Sequence, residues 1–315
     1  MVNFKSITRR LFLVACFGII SSLVGSALNS TPSYALLIGG PDADHRAAGQ
    51  TYLVGGSAVR NTGGAAVAVR TYLNGLEQNS SGTAISPRYV VATLHGINRA
   101  LNNSSPRAIA ANASIEISIG SNAQTNRVAI YQVTRVINFP GAGVGTNAAD
   151  YILLDLGSNR LPIRAARLGV VAWYDTLYTA GFGSFAVPNG TGFRDYNVRG
   201  GWAPVLGRNI GVYNAELYRE GTFDPAFISG LNVRGMAGDS GSPWFNGNGE
   251  LVGMTVAGTN GTGAVGRTSF LRFDNPTIRA NLLPYTLPPV KVPVVDKAGG
   301  LTLGEELVTL ISNRK

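Results

Sequence analysis

Cysteine is nearly missing from this chain: Cys16 is the only one in 315 residues. No disulfide can form within the chain, so an exported form would depend on the size of its core rather than on staples. Histidine is almost as scarce, with only His45 and His95. No Cys/His or carboxylate cluster has metal-ligand spacing, so no metal or cofactor is expected. Long apolar runs are also absent. The longest, Leu11 to Val24, is short of the roughly 20 residues that span a bilayer. The net charge of +9 comes without any Lys/Arg run, since residues such as Arg194, Arg199, Arg208 and Arg219 are dispersed. That excess reads as a solubility feature, and nucleic acid is not expected as a partner. Gly141-Ala142-Gly143-Val144-Gly145 has no following helix and is excluded as a phosphate loop.

The N-terminus has the grammar of an export signal. Lys5, Arg9 and Arg10 precede the apolar run, and small-residue cleavage sites follow at Gly25-Ser26-Ala27 and Ser33-Tyr34-Ala35. Residues 1–35 are therefore expected to be a signal peptide, and the protein to be secreted or periplasmic. Thr8 to Leu13 loosely resembles a twin-arginine signal, and general secretion is preferred. Leu13-Val14-Ala15-Cys16 looks like a lipobox, but the apolar run continues past the cysteine, so no lipid anchor is expected.

Abundance begins with glycine, 41 residues without a collagen-like period, which suits many short strands joined by tight turns. Strands are expected at Ala65 to Leu73, Thr83 to Ala92, Ser114 to Ile119, Val128 to Ile137 and Tyr151 to Leu156. Others are expected at Val170 to Tyr178, Ile210 to Leu217, Gly249 to Thr255 and Arg267 to Phe273. No helical periodicity intervenes, which argues for an all-β antiparallel architecture. Asn275-Pro276 ahead of Thr277 to Leu283 is a helix start, with an Asx cap and proline in the first turn. Residues 284–315 read as a Pro-rich linker and tail, in which Leu301 to Lys315 carry a helix-like Leu/Val spacing. His45, in the polar segment Asp42 to Arg46, is expected on the surface.

Gly238-Asp239-Ser240-Gly241-Ser242-Pro243 resembles the Gly-Asp-Ser-Gly-Gly-Pro signature of trypsin-like (chymotrypsin-family) serine proteases, here of a bacterial type without disulfides. Gly82 to Ala92 is similar to the strands that lead to that family's catalytic histidine, and Thr93-Leu94-His95-Gly96 stands where the family writes Ala-Ala-His-Cys. Asn147 to Leu156 resembles its aspartate strand, with Asp150 in the catalytic place; Asp155 falls on the solvent side of the alternation and is the weaker candidate. The order His95, Asp150, Ser240 suits this family and not the subtilisin or α/β-hydrolase orders. The chemistry needs these types together: a serine hydroxyl is a poor nucleophile until a neighbouring imidazole takes its proton, and a carboxylate fixes that imidazole's tautomer.

The resemblance implies two packed six-stranded antiparallel β-barrels with a short C-terminal helix. It implies a protease domain over 53–283, preceded by a propeptide or extension at 36–52. It implies an oxyanion hole from the N–H groups of Gly238 and Ser240, and a specificity pocket at Arg234, Val256 and Gly258. Arg234, six residues before the nucleophile, would favour acidic side chains. Val256 replaces a serine that supports the aspartate in the family. Leu53-Val54-Gly55-Gly56 resembles an activation terminus, with Leu53 pairing with Asp239; Leu37-Ile38-Gly39-Gly40 is the second candidate. The expected activity is that of an exported, zymogenic serine endopeptidase acting as a monomer on protein or peptide substrates. The alternatives are a catalytically silent protease-like binding protein of the cell envelope, and an envelope structural protein docked through its tail.

Overall fold

The structure is a computed structural model that describes residues 36–305 apart from 39–41, 51, 55–56, 60–64, 144–148, 163–165, 173–174, 187–191, 209–213, 218–232, 236–237, 259–267, 287–290 and 296–300. The expected signal peptide, its cleavage sites, Cys16 and residues 306–315 lie outside the described residues.

Strands are numbered along the chain. The N-terminal region forms β1 (Leu36–Ile38), a helix Asp42–Gln50, and a small hairpin of β2 (Tyr52–Val54) and β3 (Ser57–Val59). Next come β4 (Ala66–Leu73), β5 (Leu76–Ala84), β6 (Tyr89–Ala92), β7 (Ala113–Asn122), β8 (Asn126–Gln132), β9 (Arg135–Ile137) and β10 (Ile152–Asp155). They form one antiparallel seven-stranded sheet in the order β8-β7-β4-β5-β6-β10-β9. The turn between β4 and β5 is Asn74-Gly75, both with positive φ (51° and 79°). This is the type I′ geometry whose twist matches a two-residue hairpin.

The second half contains β11 (Thr176–Gly181), β12 (Phe185–Ala186), β13 (Arg199–Arg208), β14 (Asn214–Leu217), β15 (Val233–Gly235), β16 (Pro243–Phe245), β17 (Leu251–Gly258) and β18 (Thr268–Arg272). Six of these close into a barrel, β11-β13-β14-β18-β17-β16, while β12 and β15 flank β1 in a separate three-stranded sheet. The all-β fold is as expected, the first unit being a seven-stranded sheet and the second a closed six-stranded barrel.

Alternation with period two explains how the halves join. In β4, Val67 and Val69 enter the core of the first sheet, while Ala66 and Ala68 enter a second core that also takes Phe182, Phe245, Met254 and Leu271 from the barrel half. Val90 and Ala92 divide from Val91 in the same way, as do Ile152 and Leu154 from Leu153. These strands are buried on both faces, and each fully buried Val or Leu contributes roughly 1.5–3 kcal/mol. The barrel has its own interior of Leu177, Val205, Trp244, Val252 and Phe270.

The expected C-terminal helix spans Pro276–Thr286, and the Asn275 carboxamide oxygen accepts from the N–H groups of Thr277 and Ile278 at 3.0 and 3.3 Å. The helix runs through Pro284, which was expected to open the linker, and Tyr285 packs edge-on to Tyr89. Three further expectations change. The strand at Thr83 to Ala92 is broken by the bend at Ser86-Pro87-Arg88, and the one at Val170 to Tyr178 begins at Thr176. The tail's helix-like spacing gives β20 (Leu301–Glu305), paired antiparallel with β19 (Lys291–Val295). The β-branched Val292, Val294 and Thr302 favour that extended pairing.

Candidate active site

Each of the three expected triad residues sits in a connection within a few residues of a strand end. His95 lies in the helical turn Leu94–Ile97 that follows β6, and Asp150 lies two residues before the start of β10. Because β6 and β10 are paired, with Ile152 opposite Ala92, their ends bring the two side chains together. Ser240 lies in the turn between β15 and β16, with Gly238 (φ 100°) and Gly241 (φ 93°) on either side in backbone conformations that favour glycine.

The carboxylate of Asp150 engages His95 twice. Oδ1 accepts the backbone N–H of His95 at 3.1 Å, and Oδ2 accepts from Nδ1. With Nδ1 as donor, Nε2 is the acceptor, and it lies 2.8 Å from Ser240 Oγ. The imidazole is 38% exposed and the aspartate 18%, so the pair opens to solvent on the histidine side, where a substrate would enter. Gly238 is half-buried, and among the described residues the N–H groups of Gly238 and Ser240 donate to no acceptor.

The pocket residues fall into two groups. Arg234 is in mid-β15, 6% exposed and opposite Leu37 of β1, so its side chain is not directed to solvent. Val256 is half-buried and packs on the shared core at a register shift between Thr255 and Ala257, which makes it the bulged residue of β17. Gly258 ends that strand opposite Thr268. Asp239 is fully buried. Leu53 is internal to β2, opposite Ala58, in the intact chain.

Two expectations about side-chain surroundings are corrected. Asp155 is fully buried, not on a solvent face: Arg88 grips it from Nε and Nη2 at 2.6 and 2.9 Å, Arg135 Nε donates at 2.7 Å and the Gly157 N–H at 2.9 Å. Burial alone would raise its carboxyl, but these donors outweigh it and hold it below the ordinary carboxylate range. The alternation missed this because two arginines fold over the outer face. His45 is likewise buried, with Nδ1 3.0 Å from the Gly200 carbonyl, because its helix Asp42–Gln50 lies on β13. There the fully buried Arg199 binds both Asp42 and Asp195, and its guanidinium stacks 3.6 Å from the Phe185 ring centroid.

Sequence reading passed over Ser81 and Thr83 of β5, which lie beneath the turn that carries Ser240. The Ser81 hydroxyl donates to the Gly238 carbonyl at 3.2 Å, and Thr83 Oγ1 donates to the Gly241 carbonyl at 2.6 Å. The available signal was spacing: residues 81 and 83 share one face of a strand, while a Cβ on Gly82 would meet Val67, Val69 and Val90 on the other.

The family model described as Trypsin matches residues 53–275, more than half of the chain. The chain belongs to the trypsin family. Among solved structures, a similar one is the crystal structure of the scabies mite inactivated protease paralogue S-I1. It is 16% identical, with a TM-score of 0.50 over 71% of this chain and 93% of that one. At that identity the likeness speaks for the fold alone. None of the curated proteins compared with the chain matches it. Family membership makes this a serine protease-like protein, for which peptides are the substrate class. No helix among the described residues is long and apolar enough to cross a membrane.

Proposed function

We propose that this chain is an exported serine endopeptidase, with Ser240 as nucleophile, His95 as general base and acid, and Asp150 as the group that orients the imidazole. The observation that carries this reading is the unbroken relay from Asp150 through both ring nitrogens of His95 to Ser240, with Nε2 at 2.8 Å from Oγ. His95 Nε2 takes the proton of Ser240 Oγ as that oxygen bonds to the scissile carbonyl carbon. The carbonyl oxygen becomes an oxyanion facing the N–H groups of Gly238 and Ser240, a type of contact worth about 10²–10³ in rate per donor. As the C–N bond breaks, His95 passes its proton to the leaving amine and an ester remains on Ser240. Water, deprotonated by the same imidazole, then attacks the ester and releases the acid.

The rival reading is a catalytically silent binding protein; the similar scabies mite chain is itself described as an inactivated protease paralogue. Intact hydrogen bonding among all three side chains favours the enzyme. A fluorophosphonate probe distinguishes the two: the enzyme labels at Ser240, and His95→Ala abolishes labelling. Absence of label on the export-processed protein would end the catalytic reading.

The finer points follow the same argument. Arg234, buried in β15, favours acidic side chains at the cleaved position. The first 35 residues direct export, so the protein works as a secreted or periplasmic monomer without a cofactor. For maturation we favour cleavage after Ala35 over release of Leu53. Strand β1 pairs with β12 and with β15, which carries Arg234. The helix Asp42–Gln50 supplies one of the two carboxylates that neutralise Arg199. Residues 36–52 are then a built-in part of the protease rather than a detachable propeptide. The N-terminal mass of the active form decides: a start at Leu36 supports this scheme, and a start at Leu53, with Asp239 as its partner, replaces it.

A further inference from the structure

Ser81 and Thr83 are fully buried hydroxyl residues on β5, a strand that contributes no member of the triad. Every carbonyl from Gly238 to Ser242 has a partner. Ser81 takes two of them: its hydroxyl donates to Gly238 O at 3.2 Å, and its backbone N–H donates to Ser240 O at 3.0 Å. Thr83 Oγ1 takes Gly241 O at 2.6 Å. The remaining two close within the barrel half, Asp239 O to the Ser242 N–H and Ser242 O to the Thr255 N–H, at 2.7 and 2.8 Å. The Ser81 oxygen also accepts the Phe182 N–H at 3.0 Å, which uses both its donor and an acceptor position. The fit is close, since a Cβ on Gly241 would stand 2.1 Å from the Ser81 carbonyl oxygen.

From this we infer that β5 is a template that holds the nucleophile turn in its oxyanion-binding conformation, with the Ser81 and Thr83 hydroxyls as positioning residues for the reaction. The inference deepens the serine-protease reading and rests on it for its kinetic consequences. A segment whose carbonyls are bonded from Gly238 to Ser242 cannot rotate its peptide planes freely, so the N–H groups of Gly238 and Ser240 keep their direction when negative charge develops between them. Preorganisation of this kind acts on the transition state more than on the bound substrate.

The test uses Ser81→Ala, Thr83→Val and Thr83→Ser in the full, export-processed protein. Thr83→Val keeps the shape and deletes the donor, whereas Thr83→Ser keeps the donor. Ser81→Ala and Thr83→Val are expected to lower kcat by roughly 10- to 100-fold with KM within about twofold, a loss below that of an oxyanion donor itself. The affinity of a peptide boronate is expected to fall in parallel, while that of a non-reacting peptide inhibitor holds and Thr83→Ser restores kcat. Hydrogen exchange at the Gly241 and Ser242 amides is expected to rise in both deleting variants. This last reading needs no activity, so it tests the template even if the parent neither labels nor hydrolyses, a result that would sink the protease reading alone. Unchanged exchange at these amides overturns the template, and so does wild-type kcat in a variant that has only lost thermal stability.

Discussion

Removing Asp42 tests whether the N-terminal helix belongs to the working fold. Arg199 is 2% exposed at its side chain, and two carboxylates from opposite directions compensate its charge. Asp42 accepts from Nε at 2.5 Å and from Nη2 at 3.3 Å, and Asp195 accepts from Nη1 and Nη2 at 2.7 and 2.8 Å. Burial alone would lower the guanidinium, but both acids together hold it above its ordinary range. Asp42→Asn leaves Asp195 in place, so the cation is never stranded. A hydrogen bond to a charged group is worth about 1.5–3 kcal/mol, and Asp42 is 28% exposed, so the lower end applies. We expect a loss of about 1.5 kcal/mol, or roughly 3–6 °C in Tm for a domain of this size. The double variant Asp42→Asn, Asp195→Asn leaves the buried cation alone and is expected to cost about 3–5 kcal/mol, more than the two single losses combined. Urea denaturation of the three variants and the parent supplies the numbers. If Asp42→Asn falls within about 0.3 kcal/mol of the parent, the network does not tie the helix to the barrel, and the argument that residues 36–52 stay with the mature protein fails with it.

Asp155 and Asp195 both sit below the ordinary carboxylate range in the folded protein, with burial opposed and outweighed by donors from Arg88 and Arg135 and from Arg199. A lowered folded value means that their stabilisation is complete above about pH 4 and is lost as pH falls through the folded value. Denaturation midpoints should therefore decline below pH 4, and less so in Asp155→Asn, whose stability is already reduced at neutral pH. Gly241→Ala should leave no measurable hydrolysis, since its Cβ would lie 2.1 Å from a backbone oxygen at φ 93°; Gly75→Ala, at φ 79° with open space around it, should cost about 1 kcal/mol and keep activity. Arg234→Ala should lower kcat/KM on substrates with Glu or Asp at the cleaved position at least tenfold and on alanine substrates much less; an unchanged peptide-library profile would remove the acidic preference.

The parts of the fold that could be read in the sequence are those in which one residue type has one meaning. Asn275-Pro276 capped the helix as its chemistry requires, and the apolar strands β4, β7 and β10 stand close to where their apolar runs placed them. The ten-residue β13 escaped notice because Gly200, Gly201 and Pro204 are punctuation in most contexts. Tertiary packing overrides that reading here: a Cβ on Gly200 would come 3.1 Å from the Cα of Gly49, so the glycines mark the close approach of a helix rather than a turn. The same helix was unreadable as a folded element because its buried side is polar. It shelters His45 and an ion pair rather than a leucine stripe, and hydrophobic periodicity is silent about such contacts.

Ser80-Ser81-Gly82-Thr83 poses the converse problem. Only from Thr83 onward does the pattern read as a strand, and burial inside a sheet should penalise these hydroxyls unless each finds a partner. For Ser81 and Thr83 the partners come from a segment more than 150 residues later, the turn around Ser240. An apolar pair at 81 and 83 would have packed as well in the strand, but it would have left the carbonyls of Gly238 and Gly241 buried without donors. Polar residues are therefore kept on β5 by the needs of another element, and a strand-forming pattern was given up there to satisfy them. Where hydroxyls interrupt an otherwise apolar strand next to a family's functional loop, the physical question is which backbone acceptors they serve. Here the hydroxyls serve two carbonyls, at Gly238 and Gly241, and the Ser81 backbone N–H serves a third, at Ser240, in the same turn.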